Sequence, residues 1–168
     1  MTPSHREFTD DHTPIAFFIT FRTYGTWLHG DERGSVDRFH NRYGTPRLPA
    51  NKLRQQYEFK LLRQPPVLLT PTQRQVVTET IKKTCKERNW GLWAVNVRTN
   101  HVHTVVTANC NSKKVRATLK AKATKAMRET GCWRSDLSPW ARRGSRQNLW
   151  TYQDLIAAIE YVLYEQGE

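Results

Sequence analysis

Two histidines separated by a single valine stand in the segment 96–106, which reads NVRTNHVHTVV. Alternate side chains of a β-strand point to the same face, so His101 and His103 are expected side by side, opposite Val102. Two explanations fit this pattern: a structural polar pair at a sheet edge, or two ligands of one metal ion. Neutral imidazole is the commonest nitrogen ligand for first-row metals. One ion needs more than two protein ligands, so a further ligand must come from elsewhere in the chain.

The last predicted helix, DLIAAIEYVLYEQG, is where we look for that further group. At about 100° per residue, its apolar side chains form one stripe that is expected to pack on the sheet. The stripe comprises Leu155, Ile156, Ile159, Val162 and Leu163.

Tyr161 falls nearly opposite this stripe on the helical projection, and Glu165 lies four residues further on. Residues four apart on a helix are neighbours, so the phenol and the carboxylate can reach the same point in space. A surface tyrosine beside a surface glutamate explains the same pair. Tyr164 is the reserve candidate for the tyrosine, while Gln166 lies nearer the apolar stripe.

The elements around these residues follow the order β-α-β-β-α-β with a closing helix. This order is typical of the split βαβ, ferredoxin-like fold, an α+β antiparallel sheet with helices on one face and, here, a C-terminal helix that carries the tyrosine. The histidines then fall on a strand in the middle of the sheet. The predicted elements are a strand at 15–24, a helix opened by Thr70-Pro71, strands at 91–99 and 101–108, a helix at 112–129, a hairpin at 140–152 and a final helix at 154–167.

The length of 168 residues predicts one domain over 1–168. A long irregular insertion, rich in Gly, Asp, Arg and Pro, is expected at about 25–66, with a short helix at 51–63. We find no signal peptide and no apolar run of the roughly 20 residues that a membrane span needs. The three cysteines are widely spaced and form no CxxC pair, which favours a reduced cytoplasm.

The charge is strongly basic, with 27 Lys and Arg against 15 acids and a net charge of +12. Such an excess favours a polyanionic partner, and aromatic residues beside cations suit unpaired bases. A merely solvated basic surface is the alternative. The cations that we select as DNA contacts are Arg22, Arg98, Lys113, Lys114, Arg116, Lys120, Arg142, Arg143 and Arg146.

Several of these segments resemble one protein family. NHVHTVV is similar to the HUH motif, in which two histidines flank one hydrophobic residue, and EYVLYEQG resembles the tyrosine helix of single-tyrosine HUH transposases, the IS200/IS605 and REP-associated group. TYGTWLHGDERGSVD and WARRGSRQNLWT also resemble segments of that group. The resemblance spans most of residues 15–167 and combines two motifs, neither of which would be specific alone.

The resemblance implies an enzyme that cleaves and rejoins single-stranded DNA at hairpin-containing ends through a 5′-phosphotyrosine. His101 and His103 match the ligands of a divalent ion, Mg²⁺ or Mn²⁺, and Tyr161 matches the nucleophile. For the third ligand, Glu165 has the expected spacing of one turn, whereas Gln166 has the more usual amide chemistry at a shifted position. The family also implies a homodimer.

Two other functions remain compatible with the sequence. One is another HUH enzyme, a nickase of the replication-initiator type, which uses the same chemistry. The other is a non-catalytic, domesticated module of ferredoxin-like fold that binds single-stranded nucleic acid. RNA-recognition motifs share the element order, but their aromatic signature is absent from AVNVRTNHVH.

Overall fold

The computed structural model describes residues 13–28, 30–31 and 46–164. Within these ranges the chain forms four strands and four helices. The strands are β1 (Ala16–Arg22), β2 (Gly91–Val97), β3 (His101–Thr107) and β4 (Ser145–Leu149). The helices are α1 (Lys52–Lys60), α2 (Pro71–Glu87), α3 (Ser112–Glu129) and α4 (Tyr152–Tyr164).

The four strands form one antiparallel sheet in the order β2-β3-β1-β4. This order and the alternation of strands and helices confirm the predicted ferredoxin-like α+β fold. β3 and β1 are central, so the strand that carries the histidines is hydrogen-bonded on both sides. A bulge at Trp93 shifts the register of β2 against β3. Because of this extra residue, Leu92 and Val95 face the same side of the sheet.

Helices α2 and α3 cover one face of the sheet and form the larger core. α2 begins with a capping box, in which Thr70 and Gln73 each accept a hydrogen bond from the other's backbone N–H, and Pro71 occupies the first turn. α3 has the predicted bounds 112–129, and Val115, Leu119, Ala123 and Met127 of its apolar stripe are fully buried. The larger core therefore follows the helical period of the sequence.

α4 covers the opposite face of the sheet, with only part of the stripe that the sequence predicts. Its buried residues are Leu155, Ala158 and Val162, which pack with Ala94 and Val105 of the sheet. Ile156 and Leu163, both assigned to the stripe, are exposed by 55% and 44%. The stripe prediction is right for Leu155, Ile159 and Val162. It is wrong for Ile156 and Leu163, because the small Ala158, rather than a larger residue, lies against the sheet.

The predicted hairpin at 140–152 is also wrong. Trp140 forms an isolated bridge with Thr23, and only Ser145–Leu149 forms a strand, which pairs with β1 at the sheet edge. Gly144 precedes this strand and lies so close to β1 that a Cβ atom would overlap the carbonyl oxygen of Thr20. The Gly-containing segment that looks like a turn thus runs closely beside β1, between the bridge at Trp140 and strand β4.

The part of the insertion that the structure describes includes α1, where the sequence predicts a short helix at 51–63. α1 has no buried residue. Among the described helices, none is both long enough and apolar enough to cross a membrane.

Candidate metal and tyrosine site

The two histidines lie side by side on the face of the sheet that α4 covers. Their ring centroids are 4.6 Å apart, with an angle of 72° between the planes. Val102, between them in sequence, points to the other face and is fully buried in the larger core. His103 is 7% exposed and His101 is half-buried, so the pair stands at the margin between the smaller core and solvent.

A hydrogen bond fixes one ring nitrogen of each histidine. Nδ1 of His101 lies 2.6 Å from the side-chain oxygen of Asn100, and because an amide oxygen only accepts, this Nδ1 carries the proton. Nδ1 of His103 lies 2.6 Å from the hydroxyl of Thr20, the residue opposite it in the β1–β3 ladder. Nε2 is therefore the unprotonated nitrogen of the neutral His101 ring, and Nε2 of His103 is too when the Thr20 hydroxyl accepts. This arrangement is typical of histidine ligands, whose second nitrogen is held by a neighbouring group.

His103 is held in the neutral form that a metal ligand requires. Burial, and then the positive charges of His101 and Arg22, lower its pKa from 6.5 to about 3. At neutral pH the buried ring is therefore uncharged.

α4 brings Tyr161 to the same place. Its ring stands edge-on to the ring of His103, with centroids 5.7 Å apart and the planes at 78°. Phe18 of β1 contacts both rings: it stacks on His103 at 5.5 Å and meets Tyr161 edge-on at 5.8 Å. Tyr161 is 40% exposed, so one side of the phenol is packed and the other is open to solvent.

The structure separates the two tyrosine candidates. Tyr164 is 80% exposed, and within the described chain no ring contact joins it to either histidine. Both candidates for the third metal ligand, Glu165 and Gln166, lie outside the described residues. Within the ranges that the structure describes, no three His, Cys, Asp or Glu side chains cluster as a metal site would. The two imidazoles fit a divalent ion as a partial donor set that needs another ligand.

Arg22 and Arg98 lie near the histidines, as the sequence predicts for residues at the ends of strands. Arg22 is opposite His101 in the β1–β3 ladder, and its guanidinium lies 3.8 Å from the centre of the Trp27 ring. The backbone N–H of Arg98 donates to the carbonyl of His101 in the turn between β2 and β3. A cation is therefore held beside the pair by an aromatic ring.

The other predicted cations lie on α3 and on the segment that follows Trp140. Arg116 donates to the carbonyl of Gly144, and the ammonium group of Lys120 donates to the carbonyls of Ala141 and Arg143 at 2.8 and 2.6 Å. Arg146 faces the α3 side of the sheet and donates to the hydroxyl of Ser112. Arg116, Lys120 and Arg146 thus donate hydrogen bonds to backbone or hydroxyl oxygens. Arg142, Arg143, Lys113 and Lys114 are exposed.

These cations repel one another. Burial, followed by the charges of Arg146 and Arg143, lowers the pKa of Arg116. Burial and the charge of Arg116 lower the pKa of Lys120 to about 8. In the described part of the chain, none of these four residues forms an ion pair with a carboxylate. The structure therefore concentrates positive charge on this edge of the molecule, on the α3 side.

Sequence reasoning missed the residues that hold the candidate site together: Phe18, Thr20, Asn96 and Asn100. A signal was present in the first strand, where Phe18, Thr20 and Arg22 alternate with Phe17, Ile19 and Phe21. A polar residue and a charged one at every second position of an otherwise apolar strand indicate a face that differs from the core.

Comparison with solved structures finds similar chains, and one of them can be set beside this geometry. A REP-associated tyrosine transposase bound to a REP hairpin matches with a TM-score of 0.50 and 14% sequence identity, over 89% of this chain and 65% of that chain. The chain thus spans about two thirds of that protein's length, and at this identity the likeness shows the fold alone. No protein-family model matches the sequence, and no curated protein matches it.

Proposed function

We propose that this chain cleaves and rejoins single-stranded DNA at hairpin-containing ends, with Tyr161 as the nucleophile and a divalent ion as cofactor. One observation carries the proposal: the last helix places a half-exposed phenol edge-on to a buried, neutral histidine whose partner histidine lies 4.6 Å away. The likeness to the fold of a tyrosine transposase is consistent with it.

The donor set supports a metal site at the two histidines. The Nε2 atoms of His101 and His103 would hold Mg²⁺ or Mn²⁺, with Glu165 or Gln166 as the third ligand. Two imidazoles favour Mn²⁺ on ligand softness. When bound, the ion stabilises the charge that develops on the phosphate and orients that group for in-line attack.

Tyr161 performs the covalent step. Its hydroxyl releases its proton to solvent as the oxygen attacks phosphorus, an Oη–P bond forms, the P–O3′ bond breaks, and the departing 3′ oxygen takes up a proton. The 5′-phosphate stays on Tyr161 as an ester. Attack by a 3′-hydroxyl later reverses the step, restores the phenol and joins the two strands.

The cations of the described chain supply phosphate contacts at two places. Arg22, held on Trp27 beside the histidines, suits the phosphate that reacts. Lys113 and Lys114 stand in the first turn of α3, where no acid accompanies them and the helix dipole disfavours positive charge. A polyanion bound at this edge would offset the unfavourable effect of the helix dipole on these two lysines. It would also offset the repulsion of Arg116 by Arg143 and Arg146. We also propose that the active form is a homodimer.

Incubation with a labelled, hairpin-bearing DNA strand and Mn²⁺ tests the function. We expect a protein–DNA adduct on a denaturing gel that requires the metal, disappears in Tyr161→Phe and His101→Ala, and persists in Tyr164→Phe. Loss of the adduct in Tyr164→Phe alone would identify Tyr164, rather than Tyr161, as the nucleophile. Tight DNA binding with no adduct on any hairpin would favour the non-catalytic module. Cleavage without sequence preference would favour a general nickase over a transposase.

A further inference from the structure

The side chain of Asn96 joins strand β2, the neighbour of the histidine strand β3, to helix α4, which carries Tyr161. Asn96 lies on β2, directly opposite His103 in the β2–β3 ladder, so the two side chains share one face of the sheet. Its amide nitrogen donates to the carbonyl oxygen of Val162 at 3.0 Å. Val162 is fully buried and follows Tyr161 in the chain.

The remaining contact between α4 and the sheet that the structure describes is largely apolar. Leu155, Ala158 and Val162 pack against Ala94 and Val105. Burial of apolar surface is not directional, and it tolerates sliding or rotation of the helix more easily than a hydrogen bond does. The hydrogen bond from the Asn96 amide is directional, whereas these apolar contacts are not. Its donor belongs to a residue of β2, and its acceptor is the carbonyl oxygen of Val162, the residue next to Tyr161.

We propose that Asn96 is a positioning residue for Tyr161. It sets the place and rotation of the C-terminal turn of α4 over His103, and so the point from which the phenol oxygen attacks. Asn96 touches neither DNA nor the reacting atoms in this role, which rests on the proposed function. A displacement of about 1 Å is enough to lower a rate 10²-fold, so one hydrogen bond of this kind has a large effect on the reaction.

Two variants distinguish the effect of losing the Asn96 hydrogen bond from the effect of losing side-chain volume. Asn96→Ala removes the amide, and Asn96→Leu removes it while keeping a side chain of similar size. Gln64→Ala is the matched control, because Gln64 donates an amide hydrogen bond of the same kind to the carbonyl of Ser138 at 2.8 Å, away from α4. In each protein we would measure amide hydrogen exchange in α4, DNA affinity, and the single-turnover rate of adduct formation.

We expect both Asn96 variants to exchange α4 amides about fivefold to tenfold faster than the wild type, the factor that corresponds to removal of one hydrogen bond. Exchange in β1, β3 and α3 should not change. DNA affinity should stay within about twofold of the wild-type value while adduct formation slows by about 10²-fold, a split that loss of the fold cannot produce. Gln64→Ala should leave all three measurements as they are.

Unchanged exchange in α4 would overturn the proposal, and so would recovery of the wild-type rate in Asn96→Leu. Parallel loss of DNA affinity and rate would also overturn it, because it would assign Asn96 to general stability. If the wild type itself formed no adduct, the proposed function would fail, and with it the effect of Asn96 on the reaction. The exchange data would then still decide whether Asn96 holds α4.

Discussion

The phenol ring of Tyr161 stands edge-on to the imidazole of His103, with 5.7 Å between the ring centroids. The two residues are 58 positions apart in sequence and reach each other because α4 packs on the sheet face opposite to α2 and α3. Packing of α4 is therefore a condition for the proposed reaction, as well as a contribution to stability.

Enlarging the residue that lets α4 approach the sheet should uncouple the two rings. Ala158 is buried, so Ala158→Leu overfills the smaller core and should lower the free energy of unfolding by about 1–3 kcal/mol. Adduct formation should fall with it, since Tyr161 is lifted away from His103. Urea unfolding and the denaturing gel measure the two effects.

Ala157→Leu provides the control for this change, because Ala157 is exposed on the same helix. It should leave both the stability and the adduct close to wild type. Equal effects of the two substitutions would contradict the packing that we describe.

The hydroxyl of Thr20 should tune the affinity of the metal site. Thr20→Val keeps the shape of the side chain and removes the 2.6 Å contact with Nδ1 of His103. We expect affinity for Mn²⁺ to fall by roughly 10- to 100-fold, as for other groups that orient a ligating histidine. Isothermal titration calorimetry with Mn²⁺ measures it.

Thr104→Val is the matched control, because Thr104 is a buried threonine of β3 whose hydroxyl donates only a long hydrogen bond, 3.4 Å, to Ile19. Its affinity for Mn²⁺ should equal that of the wild type. Wild-type affinity in Thr20→Val would show that this hydroxyl does not act on the metal site.

Acid should destabilise the metal-free protein through His103. Its pKa is lowered to about 3 in the folded chain by burial and by the charges of His101 and Arg22, whereas an unfolded histidine titrates near its ordinary 6.5. Between these values the unfolded state binds the extra proton, so stability is full above pH 6.5 and falls as the pH drops toward 3. The expected slope is about 1.4 kcal/mol of unfolding free energy per pH unit.

Urea unfolding in the presence of a chelator, repeated across this pH range, measures the slope. His103→Asn has no titrating ring and should show a slope that is shallower by this amount. The same slope in both proteins would mean that His103 is not buried in its neutral form.

The exposed arginines after Trp140 should contribute to DNA affinity through phosphates. Arg142→Gln with Arg143→Gln should weaken binding similarly for all sequences, and should reduce the slope of log K against log salt by about 0.7–0.9 for each phosphate that is no longer neutralised. Lys120 contacts Arg143 through the backbone carbonyl of that residue, so the double change leaves the hydrogen bond in place. Fluorescence anisotropy at several salt concentrations measures the slope.

Lys82→Gln with Lys83→Gln removes the same charge from α2, where both lysines are exposed and near Glu79 and Glu87. This control should change the slope of log K against log salt by less than the double change at Arg142 and Arg143 does. An equal change would mean that net charge, rather than the edge formed by α3 and β4, attracts DNA.

Much of the fold could be predicted because the helical and strand periods are clear. Val115, Leu119 and Met127 recur at helical spacing and are all fully buried. The shared face of His101 and His103 follows from the period of two residues in a strand. Thr70 and Pro71 mark the start of α2 as caps do.

The orientation of α4 could not be predicted, because that helix is apolar on more than one side. Ile156 and Leu163 look like core residues in sequence, yet both are exposed. The choice depends on the sheet surface, where Ala94 and Val105 receive the small Ala158. The contacts of Thr20, Asn96 and Asn100 depend on strand pairing, which a sequence read one segment at a time does not contain.

The measurement that tests the central claim most directly is the identity of the residue that carries DNA. After reaction with a hairpin-bearing strand and Mn²⁺, nuclease and trypsin would leave a short nucleotide on the tryptic peptide that begins at Gln147, which contains Tyr152, Tyr161 and Tyr164. Our account predicts a 5′-phosphate ester on Tyr161 when this peptide is fragmented in a mass spectrometer. An ester on Tyr152 or Tyr164, or cleaved DNA with no modified peptide, would contradict it.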